Sequence, residues 1–185
     1  MCRVSGACAG AVGCVGALGA GGTVVVGRHA VAMVSWREIE VAEPEFAASV
    51  RAVFEKSKHK TIATLRADGA PRISGIEAEF DDGDGELTFG SMPGSRKGAD
   101  LARDSRLALH SPSVDPPEDA PAEWHGDAKI AGRAVHTHEL TGPAPGQGFR
   151  VDIEEVVRIG LNAAGDQLVI KVWRPGKGLR EFSRA

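Results

Sequence analysis

The spacing of apolar residues changes along the chain, and each change predicts an element. Phe46, Val50, Val53 and Phe54 fall at i, i+4, i+7 and i+8, the single apolar face of a helix that docks on something. Glu43-Pro44 opens it, because proline is tolerated in a first turn and Glu43 and Glu45 lie beside the positive end of the helix dipole. From residue 60 the pattern shortens to runs of Thr, Ile, Val and Leu between turn signals, as in an antiparallel sheet. Thr61 to Leu65 reads as a strand, Asp68-Gly69 as a hairpin turn, and Arg72 to Phe80 as the returning strand. An acidic turn from Asp81 to Gly85 precedes a third strand, Glu86 to Gly90. Ser95 is placed to cap a short helix reaching about Asp104. Leu107 to His110 is the next strand, and the loop holding Pro112, Pro116, Pro117 and Pro121 is too proline-dense for regular structure. Further strands are expected at about 127–136, 150–159 and 167–173, the last two joined by a turn from Asn162 to Asp166. Some seven strands, one leading helix and one small inserted helix predict a mainly β domain, an antiparallel barrel closed or nearly so, since closure removes exposed strand edges.

Composition divides the 185 residues in two. Residues 1–32 hold all 3 Cys and 8 of the 24 Gly, and their only formal charges are Arg3 and Arg28, so all 25 Asp+Glu lie downstream. We read 1–32 as a low-complexity Gly/Ala/Val-rich extension outside the fold, and 33–185 as a single domain long enough to bury one core. Two other readings stay open. The uncharged stretch between Arg3 and Arg28 exceeds the roughly 20 residues a membrane-spanning helix needs, although each glycine weakens such a helix by about 1 kcal/mol relative to alanine. Alternatively, Ala30-Val31-Ala32 resembles a signal-peptide cleavage site. Cys2, Cys8 and Cys14 lack metal-ligand spacing and cannot staple a domain that contains no cysteine. A cysteine-free domain fits a reducing cytoplasm, where we expect the protein. The net charge of −3 offers no electrostatic ground for a nucleic-acid or anionic-membrane partner.

One stretch carries chemistry. Between residues 90 and 98, Ser91, Ser95, Arg96 and Lys97 alternate with Gly90, Gly94 and Gly98, with no carboxylate before Asp100. Hydroxyls, free amides at a helix start and two cations suit phosphate oxygens. Arg72 adds a third cation if neighbouring strands pair side by side. The alternative is a solvated turn leading into a surface helix.

The succession strand, Asp-Gly turn, Pro71-Arg72 strand, acidic turn, strand, Ser-Arg-Lys-Gly, helix, strand resembles the pyridoxamine 5′-phosphate oxidase-like superfamily of flavin-binding split barrels. The resemblance spans about residues 45–173 and is strongest from Lys60 to His110. It implies a Greek-key split β-barrel, a homodimer, and FMN, or the deazaflavin coenzyme F-420 in its place, held where two barrels meet. Arg72, Ile73, Ser74 and Gly75 then match the strand beside the isoalloxazine ring, with Arg72 near the phosphate or ribityl chain. Gly90 and Ser91 match further flavin contacts, Ser95 lies in the phosphate-binding segment, and Arg96 and Lys97 match the phosphate-binding pair. Trp173 matches an aromatic flanking the ring, and Arg180 is a looser match.

The departures bear on substrate. The chain has no Tyr, Glu77 stands where vitamin B6 oxidases carry Lys, and the tail after Trp173 lacks their Arg-x-His. The expectation is therefore an oxidoreductase passing hydride or electrons from flavin to a small organic substrate, and not a true pyridoxamine phosphate oxidase. An F-420-dependent reductase, or a non-catalytic binder of flavin, haem or a pyridoxal phosphate-like ligand, is the alternative on the same fold. No catalytic residue is named. His136 and His138, placed on one strand face with Glu139 nearby, read as exposed strand-end residues and not as metal ligands.

Overall fold

In the computed structural model of the chain, residues 32–143 and 145–184 are described. The readings of 1–31, with all three cysteines, lie outside them. Two helices lead. Helix α1, Trp36–Ala42, starts with a reciprocal cap in which Ser35 accepts from the Glu38 amide while the Glu38 carboxylate accepts from the Ser35 amide. Sequence reading missed it, because two buried residues, Trp36 and Ile39, make too short a stripe to show periodicity. Helix α2, Pro44–Phe54, begins with its proline in the first turn as expected. Together they bury Trp36, Ile39, Phe46, Val50, Val53 and Phe54. The Trp36 ring lies 4.5 Å from that of Phe80 and the Phe54 ring meets Phe80 edge-on at 5.9 Å, which fastens both helices to the sheet.

Eight antiparallel strands follow: β1 His59–Leu65, β2 Pro71–Phe80, β3 Leu87–Ser91, β4 Arg106–His110, β5 Asp127–Leu140, β6 Gly146–Leu161, β7 Leu168–Arg174 and β8 Gly178–Arg184. Helix α3, Arg96–Arg103, joins β3 to β4. The order β3-β2-β1-β4-β5-β6 closes through a β3–β6 pairing, giving a six-stranded barrel from which β7 and β8 extend. Strand β6 makes this possible by serving two partners along one edge. Its residues Gln147 to Arg150 pair with β3, and Val156 to Leu161 pair with β7. The fully buried Ile62, Leu87, Leu109, Ile130 and Ile153 come from five different barrel strands, the inward half of each strand's alternation.

Three expectations are corrected. The proline-dense loop contains a single 3-10 turn, Pro121–Glu123. Strand β5 runs to Leu140 instead of ending near 136. Strand β8 was not foreseen: five of its seven residues are exposed and Gly178 opens it, so it has no alternation to read, and only pairing with β7 defines it. Among the described residues, no helix is long and apolar enough to cross a membrane.

Candidate functional site

The anion-binding stretch folds locally as its residues dictate. After β3 the chain turns at Gly94, whose φ of +67° favours glycine. Ser95 then takes an extended conformation and caps α3, its hydroxyl accepting from the Gly98 amide at 3.1 Å. The Ser91 and Ser95 hydroxyls are 2.6 Å apart. A Cβ on Gly98 would sit 3.0 Å from Ser95 Oγ and 3.1 Å from Ser91 Oγ, so glycine lets the first helical turn close on the end of β3. That turn carries no acidic side chain.

Helix α3 is tied to β2 at two points. Lys97 Nζ donates to the Gly75 carbonyl at 3.1 Å. Arg72 Nε donates to Asp100 Oδ2 at 2.6 Å, and the same carboxylate accepts from Thr64 Oγ1 at 3.0 Å and Arg103 Nη2 at 3.2 Å. These donors, Arg72 first, hold the Asp100 carboxyl down at about 2. Burial lowers the Lys97 ammonium from its ordinary value, against the opposing charge of Glu77.

Beside this junction lies a cleft of about 820 Å³. One row of paired residues, Gly90 on β3, Gly148 on β6 and His138 on β5, crosses it. The missing side chains at the two glycines make room for their neighbours: a Cβ on Gly90 would come within 3.1 Å of the Leu140 side chain, and the imidazole lies over Gly148, where a Cβ would come within 3.0 Å of the ring. Next to Gly75 there is open space, with nothing within 4 Å of where a side chain would begin. The lining also includes an acidic wall, formed by Glu77, Glu79, Asp81, Asp84 and Glu86. Burial pushes the Glu86 carboxyl up, while Arg150, 3.9 Å away, pulls it back. Glu86 Oε2 is buried without a hydrogen-bond partner among the described residues.

Of the residues expected at a site, Gly75, Gly90, Ser91 and Lys97 line the cleft. Ser95 stands behind Ser91 as the helix cap. Arg96 is exposed on the first turn of α3 and does not line the cleft, nor do Ile73, which is 75% exposed, and half-buried Ser74. Arg72 is turned to Asp100 instead of into the cleft. Trp173 is 6% exposed and belongs to the apolar core. His138, Leu140, Phe149 and Arg150 line the cleft without having been singled out for it. The reading of His136 and His138 on one strand face is corrected by a bulge at Thr137. His136 pairs with Phe149 and His138 with Gly148, so consecutive partners turn the two rings to opposite faces. Alternation in the sequence was the available signal, and the bulge inverts it.

A closed six-stranded antiparallel barrel with a capped helix inserted after its third strand defines a split barrel. The chain belongs to the pyridoxamine 5′-phosphate oxidase family, whose model matches residues 46–157, more than half of the chain. None of the curated proteins compared matches it. Among solved structures it is similar to a pyridoxamine 5′-phosphate oxidase-related, FMN-binding protein from Nostoc punctiforme PCC 73102, with 10% identity, 77% of this chain and 96% of that one covered, and a TM-score of 0.54. It is also similar to PhzG from Burkholderia lata 383, solved in complex with tetrahydrophenazine-1-carboxylic acid, with 15% identity, coverage of 80% and 91%, and a TM-score of 0.53. The Agrobacterium tumefaciens protein Atu2129, of unknown function, aligns at 17% identity over 65% of this chain and 58% of that one, with a TM-score of 0.50. At these identities the likeness is one of fold.

Proposed function

We propose that the chain binds FMN, with its phosphate at the start of α3 and its ring system against the open backbone at Gly75, and that it acts as an oxidoreductase on a small organic substrate. The observation that carries this reading is the meeting of two features in one cleft: the hydroxyl-and-ammonium group of Ser91 and Lys97, and the bare backbone at Gly75. The cleft volume falls within the range of roughly 300–1,000 Å³ usual for small-ligand sites. Ser91 and Lys97 would hold phosphate oxygens, with Ser95 ordering the amides of the first turn and Arg96 reaching in from the rim. A phosphate there would also offset the desolvation that lowers Lys97. Gly75 on β2 would border the ring, and the barrel strands would shield it from water. When bound, the flavin supplies hydride or electron transfer, and the protein's part is position and electrostatics.

The acidic wall and the absence of tyrosine disfavour a phosphorylated substrate such as pyridoxamine 5′-phosphate. Ile73 and Met92, 75% and 73% exposed beside the cleft, support a homodimer in which a second copy covers them. Trp173 and Arg180, which do not line the cleft, have no part in the reading for one chain.

Extraction of the purified protein is expected to yield a flavin absorbing near ~450 nm, whereas a band near ~420 nm would replace FMN with the deazaflavin F-420. Turnover with a nicotinamide donor separates an enzyme from a non-catalytic binder. Arg96→Ala combined with Lys97→Ala should weaken FMN by more than about tenfold, because charge-assisted hydrogen bonds contribute about 1.5–3 kcal/mol each. Unchanged affinity would sink the assignment.

A further inference from the structure

Arg72 is the cation expected to reach the phosphate, yet its guanidinium is bound to Asp100. That carboxylate is the best-held polar group on α3. Its side chain is 5% exposed, and it accepts from β1 through Thr64, from β2 through Arg72 and from its own helix through Arg103. Arg103 reaches on to the Leu65 carbonyl and so adds a second tie to β1. The Lys97–Gly75 bond is the weaker tie, a partly exposed ammonium on one carbonyl. The two ties form successive rungs of one ladder: Arg72 precedes Gly75 along β2 as Lys97 precedes Asp100 along α3, with the order crossed, so helix and strand run antiparallel. Gly98, between the two rungs on the helix, is seated against Ser91 and Ser95. A pivot of α3 at the Asp100 rung would carry Lys97 and the first-turn amides away from the cleft.

We infer that Asp100 is the positioning residue of the anion-binding group: by taking up Arg72 and Arg103 it locks α3 against β1 and β2 and so holds Lys97 at the cleft. Arg72 acts on the phosphate through this carboxylate and not by direct contact. The inference rests on the reading of the cleft as a flavin phosphate site.

FMN and riboflavin, which lacks the phosphate, separate the two ideas when titrated into the full chain by fluorescence. Their affinity ratio reports phosphate recognition alone, since losses common to the ring cancel. A wild-type protein without preference for FMN would overturn the flavin reading and this inference with it. Given that preference, Asp100→Asn should reduce it about tenfold, while on a Lys97→Met background the same change should alter the ratio less than about twofold, because the carboxylate works through Lys97. A carboxylate serving the fold alone would weaken both ligands equally. That outcome, or a raised ratio with Arg72 released toward the phosphate, overturns the inference and leaves the site standing. Should Asp100→Asn fail to fold, Thr64→Val, which removes one uncharged donor, is read by the same ratio. A fall of about twofold supports the role and an unchanged ratio refutes it.

Discussion

Ser95 and Asp100 sit five positions apart on one short helix, yet only the first announces its role. The Ser95 cap is a contact to Gly98, three residues on, and follows from residue type and position. Its removal by Ser95→Ala should lower unfolding free energy by about 1 kcal/mol in urea titrations and weaken FMN more than riboflavin. Of the three partners of Asp100 only Arg103 is near in the chain; Arg72 and Thr64 lie 28 and 36 positions away, so nothing close by foretells that it neutralises Arg72. Its folded pKa of about 2 lies below the value of roughly 3.9 for an unfolded Asp. A depressed carboxyl contributes stability that is complete above the unfolded value and disappears as pH falls through the folded one. Stability measured from pH 4 down to 2 should therefore drop with a slope that Asp100→Asn flattens.

Elements were legible in proportion to how regularly they alternate. Strands β1 to β4 and helix α3 match their sequence patterns closely, since each shows a clean period between turn signals. Helix α1 is held by tertiary contacts: the Arg37 guanidinium donates to the carbonyls of Gly83 and Asp84, clamping the acidic turn that borders the cleft. Strand β5 was read too short, and its bulge at Thr137 turned a histidine treated as surface into part of the cleft wall. Gly148→Ala should displace the His138 imidazole, because the added Cβ would approach the ring to 3.0 Å. A changed His138 ring resonance in NMR, with little loss of melting temperature, is the expected result. An unshifted resonance would mean that the ring does not rest on Gly148.

For the molecule as a whole, closure between β3 and β6 brings the α3 junction and the β5 bulge into one cleft. A fragment of residues 33–185 is expected to unfold cooperatively with a melting temperature close to that of the full chain, because the helices, the barrel and the bridge from Val34 to Ile153 all lie within it. A large fall would show that 1–32 contributes to the fold. By itself the sequence determined whatever depends on neighbours a few positions apart: the strand periods, the hairpin turns, the Ser95 cap and the cluster of hydroxyls and cations around it. Only the tertiary structure decided that Arg72 answers to Asp100, that Trp173 is core, that β6 divides one edge between β3 and β7, and that His138 faces the cleft. Each of these is a pairing between distant segments, set by strand register and burial, and register across a closed barrel is a property of all its strands at once.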